Sequence, residues 1–278
     1  MRDQVREMIS KILFLLTATL LFVSCTPAAP PSSSLAPEHV TIDSPEIAAR
    51  FSGKIVQAGR NKPHSPPFMN GEPEHLRFAF DNDRLSKFVH YRDRQLLLYP
   101  ISAYRELFRN APMERAKFDK EIKVLKKLIA KSSEAINSLI PVLPPVETIQ
   151  LFCSQVRYLD FAGGAGLRFI TRYTMAASPT TNENIFYTFQ GLTSDGKYYI
   201  SAFYPIAAKG LPETAATLAT RNYLNRLSSA DFTPDLDRMD DMIKSLRLEE
   251  PLQGIEHAPA SKAELVSSIR TDVRNRTK

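Results

Sequence analysis

Residues 184–204 limit the possible folds more than any other stretch. Asn184-Ile-Phe-Tyr-Thr-Phe-Gln-Gly-Leu-Thr193 runs into Ser194-Asp195-Gly196-Lys197, and Tyr198-Tyr-Ile-Ser-Ala-Phe-Tyr204 follows. Two runs rich in aromatic and β-branched residues around Asp-Gly predict an antiparallel hairpin with a type I′ turn, in which both central residues take positive φ. With Asp195 and Gly196 as the loop, Ser194 pairs with Lys197, Phe189 with Ala202 and Tyr187 with Tyr204. Side chains alternate along a strand. One face therefore carries Ile185, Tyr187, Phe189, Ile200, Ala202 and Tyr204 and reads as core. The other carries Phe186, Thr188, Gln190, Leu192, Tyr199, Ser201 and Phe203. Its mixed polarity calls for a covering layer or a groove.

A second hairpin precedes it, with strands over 149–161 and 167–175 joined by Ala162-Gly-Gly-Ala-Gly166. That glycine cluster lacks the lysine and the following helix of a phosphate-binding loop, so it reads as a turn. Leu76, Phe78 and Phe80 alternate in an earlier strand, and Gln95–Tyr99 forms another, stopped by Pro100. Residues 101–109 suit a short helix, and a longer one follows Pro112. On it Phe118, Ile122, Leu125 and Ile129 share one face. Lys117, Lys120, Lys123, Lys127 and Lys131 fall on the opposite face, which reads either as a solvated surface or as a basic stripe touching anionic membrane or wall polymer. Residues 213–228 are helical by pattern. Thr233 caps a last helix with Pro234 at its first position, and Leu236, Met239, Met242, Ile243 and Leu246 form its buried stripe. The expectation is an α+β fold: an antiparallel sheet built from hairpins, flanked by amphipathic helices, in one domain over 47–250. A charged, partly helical tail occupies 251–278.

The N-terminus predicts an address. Arg2, Arg6 and Lys11 precede an apolar run, Ile12 to Val23, that is too short for a spanning helix of about 20 residues. With Ser24-Cys25 after it, the segment resembles a bacterial lipoprotein signal, in which the peptide is cut before the cysteine and the thiol is acylated, for example with palmitate. Residues 1–24 are then a signal peptide and Cys25 the lipid-attachment residue. Phe22 departs from the usual leucine, and the competing reading is an ordinary signal peptide with an incidental thiol. Thr26 in place of aspartate favours, by the same resemblance, the outer membrane of a cell that has two. Residues 25–46, rich in Pro and Ser, read as an extended tether. The expected location is the bacterial cell envelope, lipid-anchored to the membrane.

Chemistry is sparse along the chain. Of the two cysteines, acylation would consume Cys25. Cys153, among Leu151, Phe152 and Val156, then has no disulfide partner and reads as a small buried hydrophobe. The formal charge of +6 is too mild to argue for nucleic acid and favours only weak, salt-dependent contact with anionic headgroups or polymers. The five histidines show no metal-ligand spacing. His64 and His75, near Glu72 and Glu74, read as surface-loop residues. Asp235, Asp237, Asp240 and Asp241 lack the glycine and terminal glutamate of a calcium loop. No catalytic residue, metal or cofactor is expected. Arg157, Arg168 and Arg172 are the candidate ligand-binding residues: Arg168 and Arg172 share a strand face, Arg157 joins them in a suitable register, and guanidinium groups suit a carboxylate or phosphate. Against this stands the ordinary solvent face of a half-buried sheet.

Gln155-Val-Arg-Tyr-Leu-Asp-Phe161, Gly166-Leu-Arg-Phe169 and Phe186-Tyr-Thr-Phe-Gln-Gly-Leu-Thr-Ser-Asp-Gly-Lys-Tyr-Tyr199 resemble an uncharacterised family of bacterial exported proteins and lipoproteins, over most of residues 51–248. The family has no established activity, so the resemblance implies location and not chemistry. More distantly, a hairpin-rich sheet followed by a helix such as Met239-Asp-Asp-Met-Ile-Lys-Ser-Leu246 is similar to the layered sheet of PsbP-like proteins, a fold analogy that implies no function. The functional expectation is a non-enzymatic, lipid-anchored domain that binds a ligand, an envelope protein or an anionic polymer. A surface-tethered hydrolase acting on wall or periplasmic substrates is the alternative.

Overall fold

The predicted hairpin lies inside the main sheet, and its register is the one its turn implies. In the computed structural model the elements in chain order are β1 (Val40–Thr41), β2 (Phe51–Val56), β3 (His75–Phe80), β4 (Gln95–Pro100), α1 (Ile101–Leu107) and α2 (Pro112–Ala130). Then come β5 (Ile149–Gln150), β6 (Ser154–Phe161), β7 (Gly164–Thr171), β8 (Tyr173–Thr174), β9 (Phe186–Thr193) and β10 (Tyr198–Pro205). The last are β11 (Ala207–Ala208), α3 (Thr217–Arg226), β12 (Phe232–Thr233), α4 (Leu236–Lys244) and β13 (Arg247–Leu248). The structure describes residues 36–59, 72–81, 83–86, 89–131, 139–144, 148–176, 178–214 and 216–249. Cys25, the signal segment, the first part of the tether, His64 and the tail lie outside the described residues.

A seven-stranded antiparallel sheet runs in the order β2-β3-β4-β10-β9-β7-β6. Phe189 faces Ala202 and Tyr187 faces Tyr204, as the Asp-Gly loop requires. The turn itself differs from type I′. Gly196 has φ +70° but Asp195 does not take positive φ, and the Gly196 N–H donates to Thr193 O at 2.9 Å. That is a type I turn closed by a left-handed glycine. Asp195 stays right-handed because its carboxylate is engaged locally, accepting from the Thr193 hydroxyl (2.6 Å) and the Lys197 N–H (2.9 Å).

The glycine cluster is a hairpin, but its loop is only Ala162-Gly163, since Phe161 pairs with Gly164. Gly164 and Gly166 belong to β7, where aromatic rings occupy the space a side chain would need. A Cβ on Gly166 would lie 2.5 Å from both Gln190 O and the Phe189 ring. Its cross-strand neighbour Gly191 is closed off by the same ring, 2.6 Å from a built Cβ.

Both faces of the sheet are covered. Against one lie α3 and α4, through Leu224, Leu236, Met239, Met242, Ile243 and the following Leu246, packed on Tyr187, Phe189, Ile200 and Leu98. Against the other lie α1 and α2, through Ile101, Tyr104, Phe118, Ile122 and Leu125, packed with Tyr99, Phe169, Phe186 and Phe203. Each such apolar side chain contributes roughly 1.5–3 kcal/mol by leaving water. The mixed face of the hairpin is therefore a second core.

Three boundaries move. The fold begins before residue 47: Val40 is buried, β1 pairs with β13 through Val40–Leu248 and Thr41–Arg247, and Ile47 packs in the core. The end of the Pro/Ser stretch thus becomes a strand, because Val40 and Ile47 give it something to bury. The third helix is shorter than its pattern, Thr217–Arg226. The last helix is capped by Asp235, whose side chain accepts from the N–H groups of Asp237 and Arg238; Thr233 instead pairs with Ala207 in β12. Among the described residues no helix is long and apolar enough to cross a membrane.

Candidate functional site

The structure separates the three candidate arginines. Arg168 points from β7 under α4, buried to 1% exposure, where it meets Asp240, which is fully buried. Its Nε and Nη2 donate to Asp240 Oδ1 and Oδ2, both at 2.8 Å, and Nη1 donates to the Gln155 carbonyl. Arg157, opposite it on β6, donates to Asp240 Oδ2 (3.0 Å) and to Asp237 Oδ1 (2.7 Å). The Arg157 hydrogen bond, with its positive charge, holds the Asp237 carboxyl below the usual range. Tyr187 completes the set, donating to Asp240 Oδ1 at 3.2 Å. Register thus brings Arg157 and Arg168 together, but around an internal carboxylate. Their charge ties α4 to the sheet.

Arg172 does not join them. It lies just past the end of β7, buried, with Nη1 donating to Ser178 O (2.8 Å) and Thr180 Oγ1 (3.0 Å) and Nη2 to Ser178 Oγ. It anchors the connection that follows β8, and among the described residues it forms no ion pair.

The other sequence candidates also acquire places. The aspartate series resolves into a helix cap (Asp235), two arginine partners (Asp237, Asp240) and a lysine partner, Asp241 with Lys244 at 2.8 Å. Among the described residues no group of three His, Cys, Asp or Glu side chains could hold a metal ion. His75 is not a surface residue. Nδ1 lies 2.8 Å from Pro73 O, so Nδ1 carries the proton. Nε2 lies 3.3 Å from Glu72 Oε2, the oxygen that accepts from the Tyr99 hydroxyl at 2.6 Å. Burial drives the His75 pKa below its ordinary value, against the raising effect of Glu72. Cys153 is buried, and burial pushes its thiol up to about 12. A thiol so hard to ionise is a packing group, since the thiolate is the nucleophile.

Around Cys153 lies a feature the sequence did not announce. Leu139, Leu151, Phe152, Cys153, Thr217, Leu218 and Arg221 line an open groove of about 280 Å³. Phe152 and Cys153 are buried, whereas Leu139 and Leu218 are 53% and 66% exposed. The start of α3 forms part of the lining, held to the segment before β6 by Arg221 Nε, which donates to Cys153 O at 3.1 Å. Next to this contact β6 carries a bulge, a register shift between Ser154 and Arg157, with Gln155 at φ +51°. Such a left-handed non-glycine residue costs about 1–3 kcal/mol and persists only when its surroundings hold it. Gln155 is held by Nε2 bonds to Leu224 O (2.7 Å) and Leu227 O (2.9 Å), and by Asn225 Oδ1 accepting from its N–H at 2.7 Å. The bulge fixes the C-terminal end of α3 against β6.

A second depression, lined by Asp83, Arg84, Leu85, Arg92, Asp93, Arg94 and Pro205, is polar. Within it Arg94 clasps Asp83 through bonds of 2.5 and 2.6 Å, and Asp93 is held by Arg77 at 3.1 Å.

Comparison with protein-family models, with curated proteins and with solved structures finds no match for this chain.

Proposed function

We propose that this is a lipid-anchored envelope protein whose α+β domain binds a polypeptide partner through the groove that α3 forms with Leu139 and residues 151–153, without catalysis. The observation that carries the reading is the pair of leucines, Leu139 and Leu218, left in water at a groove with an apolar floor. Exposed apolar side chains gathered at a concave site mark interaction surfaces. The groove's size and openness favour a partner's side chains over a small ligand, because ligand pockets usually enclose about 300–1,000 Å³ and bury most of the ligand. The hydrolase reading draws no support from Cys153, whose thiol is pushed the wrong way, nor from Arg157 and Arg168, whose charges meet Asp237 and Asp240. Acylation of Cys25, the exported-lipoprotein resemblance and a PsbP-like layering belong to the same proposal and rest on the sequence.

A photo-crosslinking residue placed at Leu218 in the full-length protein, in its native cell, should give one discrete adduct that Leu139→Glu abolishes. The same probe at Met113 should not give that adduct. An adduct pattern indifferent to Leu139→Glu would count against the groove. Separately, mass spectrometry of the mature N-terminus should find an acylated Cys25; an unmodified N-terminus would remove the anchor and leave the groove standing.

A further inference from the structure

Three lysines of α2, Lys120, Lys123 and Lys127, meet no carboxylate among the described residues. Phe118, Ile122 and Leu125 are buried, which locks the rotation of the helix. At 100° per residue, Lys120 and Lys127 then point directly away from the sheet, with Lys117, Lys123 and Lys131 to either side of them. All five are exposed. Of the helix's three acidic residues, Glu114, Asp119 and Glu121, the last two do not balance Lys120, Lys123 or Lys127. Asp119 is taken by Arg105 at 2.8 Å. Glu121 turns toward the protein and, half-buried, is shifted toward its neutral form by burial. Among the described residues no carboxylate forms an ion pair with Lys120, Lys123 or Lys127. Like charges three and four positions apart weaken a helix, so Lys120, Lys123 and Lys127 together are a local cost.

We infer that this face docks flat on an anionic bilayer. The helix has 19 residues and so presents a straight ridge of about 28 Å. A plane of headgroups can touch the whole ridge at once, whereas a single polymer strand makes comparable contact only along a channel. Lysines act as point charges on long apolar stems, suited to a diffuse layer of phosphates rather than to forked recognition of one group. Met113, 82% exposed near the start of the helix, can sink its thioether into the interface as apolar residues of surface-lying helices do. The inference stands on the charge pattern of α2 and requires neither the lipid at Cys25 nor the groove.

The test uses the full-length chain carrying Cys25→Ser, so that acylation cannot mask the effect. It is sedimented with vesicles of 70% phosphatidylcholine and 30% phosphatidylglycerol, and with vesicles of phosphatidylcholine alone. The N-terminus, with Arg2, Arg6 and Lys11, also favours anionic lipid, but its contribution is common to the parent and to both triple variants. Binding should favour the anionic vesicles and fall steeply as salt rises from 50 to 500 mM. The triple variant Lys120→Gln, Lys123→Gln, Lys127→Gln should lose the preference at about fivefold per lysine, with unchanged circular dichroism because the three side chains are in water. A control triple, Lys54→Gln, Lys209→Gln and Lys244→Gln, removes the same charge elsewhere and should keep the preference. Equal binding to both vesicles, or equal losses in the two triples, would overturn the inference. So would lysine-dependent binding of soluble polyphosphate without vesicle association, which would assign the face to a wall polymer.

Discussion

The two faces of the central sheet solve the same problem with different chemistry. Under α4 the buried polar group is a charge: Asp240 held by Arg168, Arg157 and Tyr187. Under the 140–144 segment it is a neutral amide. Gln190 Nε2 donates to Thr188 Oγ1 (2.7 Å) and Ser201 Oγ (2.8 Å), and Oε1 accepts from the Leu143 N–H (3.2 Å) and the Tyr199 hydroxyl (2.8 Å). Both donors and both acceptor positions of the amide are used. The Ser201 hydroxyl in turn donates to Leu143 O at 2.6 Å. The charged set joins elements far apart in the chain, and the amide docks a segment lacking regular structure onto two neighbouring strands. A buried ion pair is costly to halve, because it leaves an unpaired charge, whereas halving a neutral network orphans only uncharged donors and acceptors, at lower cost.

The largest expected effect follows from breaking the charged side. Asp240→Ala leaves the buried Arg168 guanidinium without its carboxylate and should destabilise the domain by about 3–5 kcal/mol in urea unfolding. Replacing both partners, Asp240→Leu with Arg168→Met, should recover most of that loss, because the cost lies in the unpaired charge. A double variant as unstable as Asp240→Ala would show that the pair contributes net stability. Gln190→Ala should cost less, roughly 1–3 kcal/mol, for the Leu143 N–H and its orphaned neighbours. If the two single variants cost the same, the contrast between the faces fails.

The smallest effect is a pH dependence at His75. Its folded pKa lies below the ordinary 6.5, so the unfolded chain takes up the proton first. Stability is then intact above pH 6.5 and declines as pH falls below it toward the folded pKa. Urea midpoints at pH 7.5 and 5.5 should differ in that direction, and His75→Phe should reduce the difference. An unchanged slope in His75→Phe would assign it to other groups.

Much of the fold was legible because its signals are local. Asp195-Gly196 set the β9–β10 register, and the alternation around it sorted Ile185 to Tyr204 onto two faces, both of which proved buried. Apolar spacing identified the buried sides of α2 and α4, and Pro112 marked the start of α2. The misses have one local and one long-range cause. Asp195 kept a right-handed backbone once its carboxylate found Thr193 and Lys197, and Thr233 lost its capping role to Asp235 when it paired with Ala207. One overlooked signal was present: Asp240 sits within the stripe of Leu236, Met239 and Ile243, and an acid there demands a buried cation.

What the sequence determined by itself was therefore the class of fold, the central hairpin, the buried faces of two helices and the expectation of an anchor at Cys25. These depend on neighbours within a few residues, where backbone geometry and side-chain period act directly. Only the tertiary structure decided that Arg157 and Arg168 close on Asp240, that Val40 belongs to a strand with Leu248, and that Leu139 and Leu218 meet at one groove. Those outcomes depend on which distant surfaces exclude water together, and that information is carried by no single stretch of the chain.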